Sequence, residues 1–469
     1  MGALYRAGEK KIRPGVYRRY ENAGKNGLPG AIYGVFAIPV HADFGPLDTV
    51  SAFEPDQISD LKQLYGTGGT VDAALALFDG GATKVYVYRL GTGGANGSVA
   101  ISASDTTLVT LETKYPTTIP FKATIKDKLG ETGVKQFLLY NGTELVETIE
   151  FASGTSDSKD LVDAINANSI YLNATKAADG EVPNISGTPL ADGDNPTVNT
   201  ESYSAALTAF EPFKWNTLVL DTVDTAVHAI VQAYIDRIFN DGSLGVCIIG
   251  EPTTVTFTER CAHATAFNDE KIIYLGSGYE DSDGNKVDGY YAIAKQAGII
   301  GSLASNTSAT HTVVPGAVNT LEPLKNSQYE KAIKSGMLLL SPNDEGQVWF
   351  DSGINTLTTL GEEQDEGWKK IRRTSTRFEM FDRIDRNAAP LIGKVNCDDV
   401  GIGDVIMAGQ AILDAMSSND EKKLAAGATF KEDTEYRRGP DYAYFVIDAQ
   451  DLDSLEKIYL RYRFKFSAE

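Results

Sequence analysis

The chain has 469 residues, 42% of them hydrophobic and 23% charged, with 64 acidic against 43 basic side chains and a formal net charge of −21. That length suggests about three domains and ample chain for a sizeable core, which excludes a peptide or a single small module. The carboxylate excess repels phosphate, so wholesale binding of nucleic acid or of an anionic membrane is not expected.

No uninterrupted apolar run approaches the roughly 20 residues of a membrane-spanning helix. The opening MGALYRAGEKKIRPGVY is basic but lacks the apolar stretch of a secretory signal, so the expected place of synthesis is the cytoplasm. Three cysteines (Cys247, Cys261, Cys397) without CxxC spacing read as reduced thiols. Charge is unevenly spread: residues 1–20 sum to +5 and residues 457–469 to +3, leaving −29 for the middle. The basic ends can fold back on their own acidic body, or reach the bodies of neighbouring copies, where opposite potentials guide assembly.

In chain order, residues 31–40 (AIYGVFAIPV) form an apolar run between Pro-Gly and Gly-Pro breaks and predict a buried strand. Residues 53–65 predict a short amphipathic helix stopped by Gly66. Residues 70–79 predict a second, with Val71, Ala74, Leu75 and Phe78 on one face and Gly80-Gly81 ending it. Residues 84–90 (KVYVYRL) then predict a strand. This order opens an α/β layer domain. From about Gly91 the text turns to Thr, Ser, Gly, Asn and Asp with short alternating runs at 99–104, 107–111, 120–125, 136–140 and 145–151. Asn141-Gly142 is a hairpin signal, and one helix is expected at 159–167. A β-rich insert is therefore expected, with residues 188–200 as its return linker.

The α/β signal resumes with strands at 217–220, 245–250 and 272–275, a helix at 222–240 and a small-residue helix at 290–305. A strand-like stretch to Asn319, a helix near 329–335, and strands at 336–340 and 347–351 follow, then helices at 378–387 and 403–416. The last element is the clearest. Ile458, Leu460, Tyr462, Phe464 and Phe466 alternate with Tyr459, Arg461, Arg463 and Lys465, so the segment predicts a strand with one apolar and one basic face. Such a strand needs a sheet to join, either its own or another copy's.

Motifs for chemistry are weak. The GTGGANG run (91–97) follows a strand but precedes another strand, without the spacing or acidic partner of a dinucleotide site. DSDGNKVD (281–288) has the carboxylate density of a calcium loop but not its glycine or terminal glutamate. Cys261 and His263 are a ligand pair without a second pair, and His41, His228 and His311 stand apart in sequence. No catalytic, cofactor-binding or metal-ligating residue is assigned, and no enzyme activity is expected.

Several blocks together resemble the contractile tail sheath proteins of myophages, R-type bacteriocins and related injection particles. They are RPGVYRRYENAG (13–24), FGPLDTVSAFEPDQISDLKQLYG (44–66) with ALALFDGGATKVYVYRL (74–90), GIIGSLASNTSATHTVVPGAV (298–318) and EKIYLRYRFKF (456–466). Their order carries the resemblance, which covers nearly all the chain outside 96–200 and is closest to particles of Gram-positive hosts. It implies an α+β, α/β multidomain architecture: an N-terminal arm (1–20), a mixed α/β sheath body (21–95 and 201–345), an inserted β-rich outer domain (96–200), a C-terminal inner domain (346–455) and a C-terminal arm strand (456–469).

It also implies a structural subunit stacking as hexameric rings around an inner tube and contracting to drive that tube through a target envelope. The arm strands exchanged between copies would be Val16, Tyr17, Arg18, Arg19, Tyr20 and Ile458, Leu460, Arg461, Tyr462, Arg463, Phe464, Phe466. A sheet including 443–447 and 368–373 would host them. Lys369, Lys370, Arg372, Arg373, Asp404 and Asp414 are candidates to face the tube. The implied partners are other copies of the chain, the tube protein, and baseplate and terminator proteins, in a virion tail or released particle; no cofactor, nucleic acid or membrane insertion is implied. A static tube or capsid component, or an α/β enzyme whose last strand closes its own sheet, are the alternatives.

Overall fold

The computed structural model describes residues 3–4, 17–18, 32–154 and 157–464, the first two pairs by backbone alone. The chain divides into two compact units, one from residues 32–379 with 451–469, the other from 1–31 with 380–450. Residues 346–379, expected with the C-terminal domain, group with the α/β body in this division. At the N-terminus, β1 (Ala3–Leu4) pairs in parallel with β2 (Tyr17–Arg18). Val16, Arg19 and Tyr20 of the expected arm strand lie outside the described residues.

The body opens with β3 (Val35–Val40), β4 (Val50–Phe53), α1 (Ile58–Tyr65), α2 (Val71–Asp79) and β5 (Lys84–Arg89). Every residue of β3 is buried, as its unbroken apolar text requires of a central parallel strand. Then comes the insert: β6 (Ser98–Ala103), β7 (Thr106–Thr113), β8 (Phe121–Asp127), β9 (Val134–Asn141), β10 (Glu144–Ala152), α3 (Asp157–Asn168), β11 (Leu172–Lys176) and β12 (Ile185–Pro189). Two antiparallel sheets, ordered β11-β7-β6 and β10-β9-β8-β12, share one core around Leu111, Phe121, Phe137 and Leu161.

Two features tie the insert to the body. Phe44 lies in the insert's core, 5.2 Å from the Tyr115 ring. Arg89, fully buried at the end of β5, donates from Nη1 to the Gly45 carbonyl (2.8 Å) and from Nη2 to the Pro116 carbonyl (2.8 Å).

The body resumes with α4 (Thr200–Phe210), β13 (Thr217–Val219), α5 (Thr225–Asn240), β14 (Val246–Gly250), α6 (Phe257–Phe267) and β15 (Ile272–Leu275). Next are β16 (Tyr279–Asp281), β17 (Lys286–Val287), α7 (Gly289–Ser302), β18 (Ala317–Thr320), α8 (Asn326–Lys334) and β19 (Met337–Leu338), then a hairpin of β20 (Leu340–Pro342) and β21 (Val348–Phe350). One seven-stranded sheet, β19-β15-β14-β13-β3-β5-β4, organises them; every pair is parallel except β4 with β5. One apolar core, with α2 and α7, covers one face and a second, with α4, α5 and α6, the other. On the first face α2 and α7 approach to backbone contact: a Cβ on Gly298 would sit 2.6 Å from the Leu77 carbonyl oxygen and 2.9 Å from the Gly80 Cα.

Helices α4 and α6 are absent from the sequence expectations, although both carry a start signal. Asn199 caps α4 by accepting from Ser202 N, and Thr256 with Glu259 forms a reciprocal box at α6.

The smaller unit contains α10 (Asp399–Ser417), β22 (Thr429–Glu432) and β23 (Phe445–Asp448). α9 (Ile371–Ala388) contributes its residues up to Glu379 to the body and the rest to this unit. Here Met380, Ile384, Ile412, Leu413, Met416 and Phe430 form a separate core. By length and composition α10 is apolar enough to cross a membrane, which a search for uninterrupted apolar runs does not register. It carries Asp404 and Asp414; Ile412, Leu413 and Met416 are buried in the unit's core and the Phe430 ring lies where a Cβ on Gly409 would be, while Val400 and Met407 are exposed.

Candidate assembly interface

The C-terminal segment that the sequence marks as a strand has no strand partner among the described residues. Residues 452–464 carry no regular secondary structure, and Ile458 is 69% exposed, Leu460 70%, Tyr462 73% and Phe464 81%. Phe466 lies outside the described residues. Four large apolar side chains spaced two apart and left in water are an unfilled demand for a sheet. Arg461 and Arg463 alternate with them, exposed in their turn.

The smaller unit offers a sheet that is short of strands. β22 and β23 pair antiparallel, Phe430 opposite Ile447 and Lys431 opposite Val446, and among the described residues each has only the other as a neighbour. A two-stranded sheet is marginal by itself; the Phe430 amide on the β22 side donates to Gln410 of α10 at 2.9 Å, and β23 has no second strand neighbour among the described residues. One face, with Phe430, Phe445 and Ile447, packs in the unit's core; on the other Lys431 pairs with Asp448 at 3.5 Å. The expected strand at 443–447 is thus present as β23. The other expected host segment, 368–373, is instead a 3-10 turn over Glu366–Lys369 running into α9, with Asp365 capping the turn at Gly367 N.

The basic residues around the start of α9 do not form a free surface. Lys370 is paired with Glu456, and Arg373 with Asp451 and Asp365 (Nε to Asp451 Oδ2, 2.8 Å). Lys369 reaches Glu366 at 3.1 Å. The charges of Lys369, Lys370 and Arg373, expected to face a tube, are each paired with a carboxylate of the same chain. Arg372 is half-buried, and its Nε has no hydrogen-bond partner among the described residues. On α10, Asp414 is exposed and accepts from Gln410, while Asp404 is half-buried.

A second polar cluster sits at the carboxyl ends of β3 and β13, where the sheet's connections diverge and α/β folds commonly place ligands. Asp221, fully buried, accepts from the His41 amide (3.0 Å), from Thr70 Oγ1 and from Tyr203 OH (2.9 Å), with His41 Nδ1 at 2.7 Å. The hydrogen bond to Asp221 raises the His41 pKa above its usual value. Three of these contacts converge on Oδ2 and Tyr203 holds Oδ1, so the carboxylate joins the ends of β3 and β13 to α2 and α4.

His263 directs Nδ1 to Glu251 at 2.7 Å, away from Cys261, whose thiol burial pushes up in pKa. Asp281 accepts from the Asp283 and Asn285 amides and closes the β16–β17 turn. Among the described residues no three metal-binding side chains converge.

Residues 196–356, from α4 through β21, match the family described as the phage tail sheath protein central domain. The whole fold is similar to a sheath tail protein from Desulfitobacterium hafniense, with a TM-score of 0.70 at 18% identity over 93% of this chain and 100% of that one. A sheath tail protein from Listeria innocua gives a TM-score of 0.68 at 17% identity, over 90% and 96% of the two chains. The sheath of an extracellular contractile injection system in its contracted state gives 0.56 at 9% identity, over 97% and 98%. In sequence the chain is also 23% identical over 388 residues to the protein YqbK of Bacillus subtilis, covering 79% of this chain and 78% of that protein. The sheath-like architecture thus extends beyond the central domain to the insert and the C-terminal unit.

Proposed function

We propose that the protein is a contractile tail sheath subunit that assembles with copies of itself by strand exchange. The observation that carries this reading is the exposed alternating segment 458–464 in a chain whose residues 196–356 match the sheath central domain and whose β23 has no second strand neighbour among the described residues. Ile458, Leu460, Tyr462 and Phe464, with Phe466 beyond them, join the β22–β23 sheet of a neighbour. The N-terminal stretch Val16 to Tyr20 serves the same mesh. Each main-chain hydrogen bond formed contributes about 0.5–1.5 kcal/mol net, and burial of the apolar face adds to it.

Copies stack as hexameric rings around an inner tube, with baseplate and terminator proteins at the ends. Arm exchange lets subunits rotate and repack without dissociating. The energy for contraction is stored at assembly in a kinetically trapped array, and no catalysis is involved. Lys369, Lys370, Arg372, Arg373, Asp404 and Asp414 are the candidates to face the tube. The body and insert are rigid cargo of this motion.

Electron microscopy of the purified chain tests the proposal. Long hollow cylinders, some shorter and wider, are expected. Monodisperse monomers at high concentration, or uniform narrow tubes alone, would refute it.

A further inference from the structure

The C-terminal segment is exposed along most of its length but not at its root. Asp451 and Glu456 are 11% and 13% exposed at the side chain, while Leu455 between them is 81% exposed and Tyr459 just beyond is 89% exposed. The segment therefore docks through its carboxylates and leaves its apolar groups in water, the reverse of ordinary packing.

The receiving surface is the start of α9. Arg373 and Arg377 are four apart on one face of α9, and Lys370 immediately precedes the helix in extended backbone. Arg373 holds Asp451 through two nitrogens, Nε to Oδ2 at 2.8 Å and Nη2 to Oδ1 at 2.5 Å, the fork geometry that suits a carboxylate. Arg377 reaches the same carboxylate at 3.5 Å, with its guanidinium 3.9 Å over the Trp368 ring and its other arm on Glu270. Lys370 takes Glu456, which also accepts from Thr310 Oγ1 at 2.8 Å and Ser308 Oγ at 3.1 Å.

The first turn of α9 contains no acidic residue although Arg372 and Arg373 lie in it. Positive side chains at the positive end of a helix dipole are unfavourable there. Asp451 and Glu456 supply the missing negative charge. Burial pushes the Glu456 carboxyl up, but the bonds from Lys370, Thr310 and Ser308 outweigh it and hold it below its ordinary pKa.

We infer that Asp451 and Glu456 form an ionic anchor that fixes the root of the C-terminal segment to its own subunit, so that the part a neighbour can receive begins at Lys457. Among the described residues no hydrogen bond or ion pair holds 457–464. Ten residues from 457 to 466 span at most about 33–36 Å when extended, so the receiving sheet lies within that radius of Glu456 in every state of the assembly. Tension between copies then enters the body at Arg373 and Lys370. That consequence rests on the proposed sheath role, whereas the anchor itself does not.

The test uses the full chain in unassembled form, with Cys397→Ser leaving only the buried Cys247 and Cys261, and a nitroxide attached at Asp453→Cys or, separately, Leu460→Cys. The label at 453 is expected to be restricted and that at 460 mobile. Combining Asp451→Asn with Glu456→Gln, or raising salt to about 1 M, where the screening length falls to about 3 Å, is expected to bring position 453 to the mobility of 460. The exchanged pair Asp451→Arg with Arg373→Asp should restore restriction.

Equal mobility at 453 and 460 in the parent, or restriction that survives loss of both carboxylates, overturns the anchor. Because the readout needs no tubes, failure to form cylinders would count against the sheath role and leave the anchor standing.

Discussion

Leu460→Asp isolates strand donation from folding. In the lone subunit Leu460 is 70% exposed and touches no core, so the substitution leaves the subunit's own stability almost unchanged. Full burial of a leucine is worth about 1.5–3 kcal/mol, so the share still to be gained in a neighbour's sheet is roughly 1–2 kcal/mol. An ionised carboxylate carried into that sheet adds a desolvation penalty of several kcal/mol. A loss of about 4 kcal/mol per junction corresponds to a roughly thousand-fold rise in the concentration needed to assemble.

Tyr459→Asp, on the opposite face and 89% exposed, is the matched control and should shift that concentration only slightly. Sedimentation of tubes across a concentration series, with thermal melting of the unassembled chain alongside, reads both quantities. The reasoning fails if Leu460→Asp assembles at the parent's concentration. It fails equally if the melting temperature of the unassembled chain falls by several degrees, since about 1 kcal/mol of folding stability moves a large domain by only about 2–4 °C.

Asp221→Asn turns one acceptor among four donors into a donor and should cost about 2–4 kcal/mol in urea unfolding of the body. The two histidines near it give opposite pH signs. His41, raised by Asp221, adds stability that is complete below the unfolded value of 6.5 and fades as pH rises through its raised folded value; His41→Asn should therefore destabilise more in mild acid than in mild base. His228, lowered by burial, adds stability above 6.5 that is lost as pH falls, so His228→Leu should flatten the acid side of the same urea series. Gly298→Val drives a side chain into the Leu77 and Gly80 backbone and should lower stability by about 1–3 kcal/mol, visible as a melting shift. Replacing residues 96–193 by Asn-Gly across the Ala95–Asp194 bridge should leave a folded body, provided that Phe44→Ser removes the aromatic ring stranded by the loss of its core; circular dichroism and solubility check both.

Local text sufficed where an element's pattern equals its environment. β3 is apolar throughout because both its faces are covered, and the insert's strands alternate because one face of each is wet. The terminal segment's period of two describes a strand that finds no strand partner among the described residues. What escaped local reading has a common cause: α4 and α6 are polar enough on one side that only their caps, Asn199 and Thr256, betray them, and the early start of α9 follows a 3-10 turn capped by Asp365.

The destination of charge was beyond the sequence altogether. Lys370 and Arg373 read as a solvated or tube-facing patch because nothing near them in sequence is obliged to pair with them, yet Asp451 and Glu456, about 80 residues on, lie against them. Likewise His41 and Asp221, 180 residues apart, meet only because β13 lies beside β3 in the sheet. Periodicity and capping act within a few residues and are written in the chain; the pairing of distant charges depends on which strands become neighbours, and that is settled by the fold.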